Sequence, residues 1–278
     1  MPGLNHTGIE PLYLAGLIPT GNSIQTTDGL TIDIWRLEPS RDQVTLSGWG
    51  KHFREVYSDP SITESLMEGT QYSSRSEFYA ALVFPDRTEL GPATRSGDFG
   101  EILVSDYLQY RLGYWVLKEK YSSKERKNQS MMGIDVVGLR ADHWESPSQT
   151  DSLFTFEVKA KLTGTIDDAR LEVALRDSAK DHLKLAGTLH AEKIRLLKAH
   201  RIDEAKRISR FQSPIDNPYL HQSGAAAVVL DQMLDVAALE SLDASAHWNR
   251  QSLKLMVITG ADLMNLVHSV FETAVNEA

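Results

Sequence analysis

The sequence predicts an α/β protein in which helices flank a mixed β-sheet. The chain has 278 residues, which is enough to enclose a large hydrophobic core. Its hydrophobic fraction of 41% and charged fraction of 24% are typical of globular domains. From residue 96 onward, segments with helix and strand periodicity follow one another in the order α-β-β-β-α-β-α-β-α.

Residues 1–90 are predicted to form an N-terminal accessory region, and residues 91–278 the main domain. In the first range, LTIDIWRLE alternates apolar and polar residues as a strand does, whereas SEFYAALVF fits either a short helix or a short strand. Neither segment contains residues that suggest a catalytic role. We expect this range to dock a partner.

The main domain begins with a helix predicted from Ser96, its N-cap, to about Leu112. YWVLKEKY, MMGIDVVGLR and LFTFEVKAK are predicted strands. A long helical region follows from about Asp167 to Ser209, with a possible break at Gly187. The apolar segments GAAAVVL and LKLMVIT are predicted buried strands, each followed by a helix.

The strand LFTFEVKAK has one apolar and one charged face. Because side chains alternate along a strand, Glu157, Lys159 and Lys161 share the face opposite the phenylalanines. A carboxylate and an ammonium two residues apart therefore point the same way. The same pattern also fits an ordinary solvated strand face, since the E-x-K spacing is common.

Asp135 is predicted to lie within a strand, with Ile134 and Val136 on the opposite face. If this strand pairs with that of Glu157, the two carboxylates meet, and a divalent cation such as Mg²⁺ or Mn²⁺ relieves their repulsion. The alternative is that Asp135 is a turn residue after Gly133.

Glu101 lies on the face of the predicted helix that Val104, Leu108 and Leu112 continue, and that face should pack on the sheet. A carboxylate there needs a cleft, an ion pair or a metal. Glu101 is also predicted to lie in the first helical turn, so it could instead serve the helix dipole alone.

These four residues suggest phosphodiester hydrolysis, which requires an activated water and neutralisation of phosphate charge. Asp135 and Glu157, with Glu101 nearby, are the predicted metal ligands. Lys159 is predicted to orient the water or to stabilise developing negative charge. The sequence therefore predicts a Mg²⁺-dependent (or Mn²⁺-dependent) phosphodiesterase.

The set resembles the PD-(D/E)XK nuclease superfamily, whose core has the order αβββαβ. In that comparison Glu101 matches the acid of the first helix, Asp135 the central acid, and Glu157 with Lys159 the paired acid and lysine. The resemblance covers residues 96–278. It departs from the motif at Ile134, where the pattern has proline.

More narrowly, RSGDFGEILVSDYL, GID and FEVK resemble HamA, the nuclease subunit of Hachiman anti-phage systems. That resemblance implies a DNA nuclease in prokaryotic defence, with a helicase encoded nearby as its partner. Two alternatives remain open at this point. One is a standalone restriction endonuclease, and the other is a non-cutting scaffold that binds DNA or a helicase.

Charge and composition restrict the remaining interpretations. The net charge is −9, yet residues 180–210 hold nine Lys or Arg against four acids. Lys180 and Lys184 in this segment, with Lys161, are predicted DNA contacts, although a solvated helix face is the usual explanation of such a segment. The absence of cysteine excludes thiolate sites. Without a long apolar stretch or a basic leader, we expect a cytoplasmic protein with no membrane partner.

Overall fold

A seven-stranded mixed sheet forms the centre of the computed structural model, which describes residues 8–59, 61–165 and 169–278. Across the sheet the strand order is β1-β2-β7-β6-β5-β4-β3. The strands are β1 (Leu17–Gln25), β2 (Thr31–Leu37), β3 (Trp115–Val116), β4 (Val136–Arg140), β5 (Ser152–Lys161), β6 (Leu220–Leu230) and β7 (Leu253–Gly260).

Strands β2, β7, β6 and β5 are parallel, and antiparallel strands flank them on both sides. The antiparallel pairing of β4 with β5 places Val136 opposite Phe156. That register brings the residue just before β4 close to Glu157. The central strands are buried on both faces, as expected for parallel strands covered by helices.

The α-helices are α1 (Gln43–Tyr57), α2 (Thr63–Met67), α3 (Arg75–Phe78), α4 (Gly91–Asp106), α5 (Glu119–Ser122), α6 (Arg170–Ser178), α7 (Asp181–Lys198), α8 (Ile202–Ser209), α9 (Val236–Glu240) and α10 (Leu263–Asn276). None of the helices in these described ranges is both long and apolar enough to cross a membrane.

Helices cover both faces of the sheet, so the core has two sides. On one side α1, α4 and α10 pack through aromatic residues such as Phe53 and Phe271, whose rings meet edge to face at 5.1 Å. On the other side α6 and α9 cover β2, β6 and β7, while α7 and α8 cover β4 and β5. The predicted α/β fold class is confirmed.

Residues 1–90, the predicted accessory region, contribute to the same sheet as residues 91–278. Strand β2 pairs in parallel with β7, and α1 packs against α10. Trp49 and Phe53 of α1 belong to the same hydrophobic cluster as Phe99 of α4. The two ranges therefore share one sheet and one core.

Several predicted elements have different bounds in the structure. Helix α4 begins at Gly91 rather than Ser96, with Pro92 at its start, because proline lacks the amide hydrogen that the first helical turn leaves unused. Ser96 is consequently a buried residue inside the helix. Glu101 lies in the eleventh position of α4, so the prediction that it occupies the first turn was wrong.

Two further predictions need correction. YWVLKEKY forms only the two-residue strand β3 before α5 begins at Glu119. The helical region after β5 is divided into α6, α7 and α8, and Gly187 lies within α7 without a break. Each of the three helices places its own apolar residues against the sheet. The predicted start at Asp167 lies outside the described residues.

Candidate functional site

The four predicted site residues lie around the junction of β4 and β5. Asp135 directly precedes β4, so the prediction that it lies within the strand was wrong, but the strand pairing brings it beside Glu157 as expected. The backbone amide of Val158 donates a hydrogen bond to Asp135 Oδ2 at 2.8 Å. This bond fixes the aspartate carboxylate between the ends of the two strands.

Lys159 connects three acidic side chains. Its Nζ lies 3.2 Å from Glu157 Oε2, 3.3 Å from Asp177 Oδ2 and 3.7 Å from Asp135 Oδ2. Burial opposes the charge of this ammonium, but Asp135 and Glu157 raise its pKa above the ordinary value. Lys159 therefore stays charged while 24% of its side chain faces solvent.

Glu157 is the most buried of the four, at 2% exposure. Lys184 on α7 donates to its Oε1 at 2.6 Å and lies 3.3 Å from Asp181 Oδ1. Burial alone would raise the pKa of Glu157, but hydrogen bonds from Asp181 and Lys184 lower it. Burial and the neighbouring Glu157 raise the pKa of Asp181 to about 9, which favours the protonated form of this carboxyl at neutral pH.

Glu101 approaches the cluster from the opposite face of the sheet. Its Oε2 accepts hydrogen bonds from Lys120 Nζ at 2.5 Å and from the Tyr121 hydroxyl at 2.9 Å. The same Lys120 ammonium donates to the backbone carbonyl of Asp135. Lys120 thus connects Glu101 on α4 with the backbone of Asp135.

A glycine lets α4 come close enough for this arrangement. A Cβ built on Gly100 would lie 3.1 Å from Ala160 Cβ and 3.4 Å from side-chain carbons of Val158 and Val228. Since real Cβ atoms rarely approach so closely, a larger residue would move α4 away from β5 and β6. The missing side chain at Gly100 therefore lets α4, and with it Glu101, lie close to the sheet.

The donor chemistry of these residues fits a hard divalent cation, because Glu101, Asp135 and Glu157 supply carboxylate oxygens. Burial, reinforced by the charges of Glu101 and Glu157, raises the pKa of Asp135 well above its usual range. A cation would relieve that repulsion. In the arrangement described, lysines neutralise the acids instead, and no three His, Asp or Glu side chains of the described residues are grouped as a metal site.

The three predicted DNA contacts lie in different environments. Lys184 faces Glu157 and Asp181, within the charged cluster. Lys180 is 57% exposed and pairs with Asp177 at 3.5 Å. Lys161 is the last residue of β5 and is partly exposed. The structure therefore brings Lys184 to the site and leaves Lys180 on the surface beside it.

Sequence reasoning missed two residues of the charged cluster, Lys120 and Asp181. Lys120 was placed on a predicted strand, and Asp181 was counted only among the acids of the basic segment. Beyond Lys120, the buried Asp98 accepts hydrogen bonds from Lys124 and from Tyr57 of α1. The i,i+3 spacing of Asp181 and Lys184 was a usable signal, but no local pattern predicts the contact of Lys120 with α4.

The fold and this charged cluster define an α/β protein with a nuclease-like core. The HamA family model matches residues 16–274, which is nearly the whole chain. The chain belongs to the HamA family, and it is a component of Hachiman anti-phage defence. A comparison with curated proteins finds no match.

Proposed function

We propose that this chain is a metal-dependent DNA nuclease that hydrolyses phosphodiester bonds as the effector of its defence system, in the cytoplasm and together with a helicase. Family membership supports the defence role. One observation carries the proposed chemistry. Lys159 Nζ lies within 3.7 Å of both Asp135 and Glu157, so the strand pairing brings the lysine and two of the proposed metal ligands together.

Each of the chain's own residues has a role that follows from its position. Lys159 is partly exposed, so its ammonium can contact a phosphate oxygen or hold the attacking water. Glu157 and Asp135 are fixed by hydrogen bonds from Lys184 and from the Val158 amide, which holds both carboxylates beside the Lys159 ammonium. Glu101 supplies the third carboxylate from α4.

A divalent cation held by Asp135, Glu157 and Glu101 would supply charge neutralisation and a lower pKa for its bound water. Lys180, exposed next to the cluster, and Lys161 at the end of β5 are placed to attract the phosphate backbone of DNA. Contacts of this kind weaken as salt rises, because they release counterions.

The test is DNA cleavage by the purified chain with and without the helicase encoded nearby. Plasmid and linear DNA are incubated with Mg²⁺, Mn²⁺ or EDTA. We expect cleavage that depends on the metal and that falls by roughly a hundredfold or more in Lys159→Met and Glu157→Gln, because each removes charge stabilisation at the reacting phosphate.

Lys51→Met is the matched control, since Lys51 is 70% exposed on α1 and its Nζ lies 3.8 Å from Glu55 Oε1, away from the charged cluster. It should cleave as the wild type does. Undiminished cleavage by a folded Lys159→Met protein would refute the proposed site. DNA binding without any cleavage, with or without the helicase, would identify a scaffold instead, and sequence-specific cleavage by the chain alone would identify a restriction enzyme.

A further inference from the structure

A buried ammonium lies among the carboxylates that we propose as metal ligands. Lys120 is 7% exposed, and its Nζ contacts Glu101 Oε2 at 2.5 Å and the backbone carbonyl of Asp135. Oxygen atoms from α4 and from the start of β4 therefore already surround one positive charge. A divalent cation bound to the same two residues would stand next to that ammonium and be repelled by it.

A small cavity adjoins Lys120. It has a volume of about 20 Å³ and is lined by Lys120, Asp135, Thr188 and Glu192. A volume of this size is about what one water molecule occupies. The cavity is therefore large enough for one ammonium-sized group beside the flexible Lys120 side chain.

Glu192 offers an unused acceptor at that cavity. It is 3% exposed, and its Oε1 accepts from Arg195 at 2.5 Å, while its Oε2 has no hydrogen-bond partner among the described residues. A buried carboxylate oxygen without a partner is costly. Burial accordingly raises the pKa of Glu192, and the charge of Lys120 acts to lower it, which places the two groups within electrostatic reach.

We propose that Lys120 is a built-in counter-cation that competes with a divalent metal for Glu101 and Asp135 and moves to Glu192 Oε2 when the metal binds. The inference rests on the metal site of the proposed function. In the metal-free protein the ammonium holds α4 and β4 together. In the metal-bound protein the same charge satisfies the acceptor that is otherwise unpaired.

The test measures Mn²⁺ binding by calorimetry, and thermal unfolding with and without Mn²⁺, in the full chain. Lys120→Met should bind Mn²⁺ at least tenfold more tightly than the wild type. It should unfold at a lower temperature without metal, because Glu101 loses its ammonium partner and keeps only the Tyr121 hydroxyl, and Mn²⁺ should restore most of that loss. Lys120→Gln, which keeps a hydrogen-bond donor, serves if Lys120→Met does not fold.

Glu192→Gln should weaken Mn²⁺ binding severalfold, because the displaced ammonium loses its acceptor. In the Lys120→Met background the same change should leave the affinity unaltered, since the ammonium is gone. Lys118→Met is the matched control. Lys118 pairs with the buried Asp106 at 2.7 Å, so its loss should lower stability and leave Mn²⁺ affinity as in the wild type.

The outcomes separate this inference from the metal site itself. If Asp135→Asn abolishes Mn²⁺ binding but Lys120→Met binds no more tightly than the wild type, the counter-cation role is overturned and the metal site stands. An equal effect of Glu192→Gln in both backgrounds overturns the movement to Glu192. Absence of Mn²⁺ binding in every protein, Lys120→Met included, overturns the metal site and this inference together.

Discussion

Replacing Asp106 by asparagine should destabilise the protein strongly and in a pH-dependent way. Asp106 ends α4 with no solvent exposure. Its Oδ1 contacts His52 Nε2 at 3.1 Å and Lys118 Nζ at 2.7 Å, and its Oδ2 accepts from the Tyr13 hydroxyl at 3.2 Å. One carboxylate thus ties α1 and the segment before β1 to the chain that follows β3.

The size of the effect follows from the pKa of this carboxyl. Burial alone would raise it, but the charges and hydrogen bonds of His52 and Lys118 lower it from 3.8 to about 2. A lowered carboxyl pKa contributes stability above pH 3.8 that is lost as the pH falls toward 2. The contribution is about 2.5 kcal/mol at neutral pH, and about half of it is gone by pH 3.

The free energy of unfolding is measured in urea for the wild type and Asp106→Asn at pH 7 and pH 3. We expect a difference of roughly 3–5 kcal/mol at pH 7, because the change leaves the Lys118 ammonium without its partner. The difference should narrow by about 1 kcal/mol at pH 3. Asp203→Asn, whose side chain is 90% exposed, is the control and should stay within ~0.5 kcal/mol of the wild type. A difference below ~1 kcal/mol at pH 7, or one that does not change with pH, would refute this reasoning.

Two further predictions concern the sheet. Burial, aided by His182 and His247, lowers the pKa of His221 to about 4, so the unfolded chain binds more protons between pH 4 and 6.5 and stability falls as the pH drops through that window. The wild type should lose free energy of unfolding, measured in urea, between pH 7.5 and pH 5, and His221→Gln should reduce that loss by about 2 kcal/mol. An equal loss in the wild type and the variant would contradict this prediction. Gly224→Ala should cost about 3 kcal/mol, because the new Cβ would lie 2.3 Å from the buried ring of Phe156. Gly48→Ala, which meets nothing within 4 Å, should instead stabilise α1 by about 1 kcal/mol, and equal effects of the two changes on the melting temperature would show that the clash is absent.

Much of the fold was accessible from local patterns. Alternation predicted β2 and the charged face of β5, and continuous apolar runs predicted β6 and β7. Helix α10 followed from its periodicity. The start of α4 at Gly91 had a local signal in Pro92 that the prediction from Ser96 did not use. The short length of β3 had no such signal, since the length of an edge strand depends on what the segment packs against.

In the candidate site, too, some residues were predictable from local patterns and others were not. Glu157 and Lys159 were predictable because two residues apart on a strand must share a face. Their contacts with other elements were not, because Lys120 on α5 and Lys184 on α7 reach Glu101 and Glu157 only when these helices pack on the sheet. Such contacts arise from the packing of helices on the sheet, and no periodicity within a segment encodes them.

Local patterns in the sequence were therefore enough to predict an α/β protein and to select the acids and the lysine of the candidate site. The three-dimensional packing was needed to show that β1 and β2 join the sheet of the main domain, that Asp135 precedes its strand, and that lysines neutralise Glu101, Asp135 and Glu157. The difference lies in the distance along the chain over which each feature is determined. Side-chain alternation is fixed by the geometry of neighbouring residues, whereas charge pairing in a buried site depends on elements that are distant along the chain.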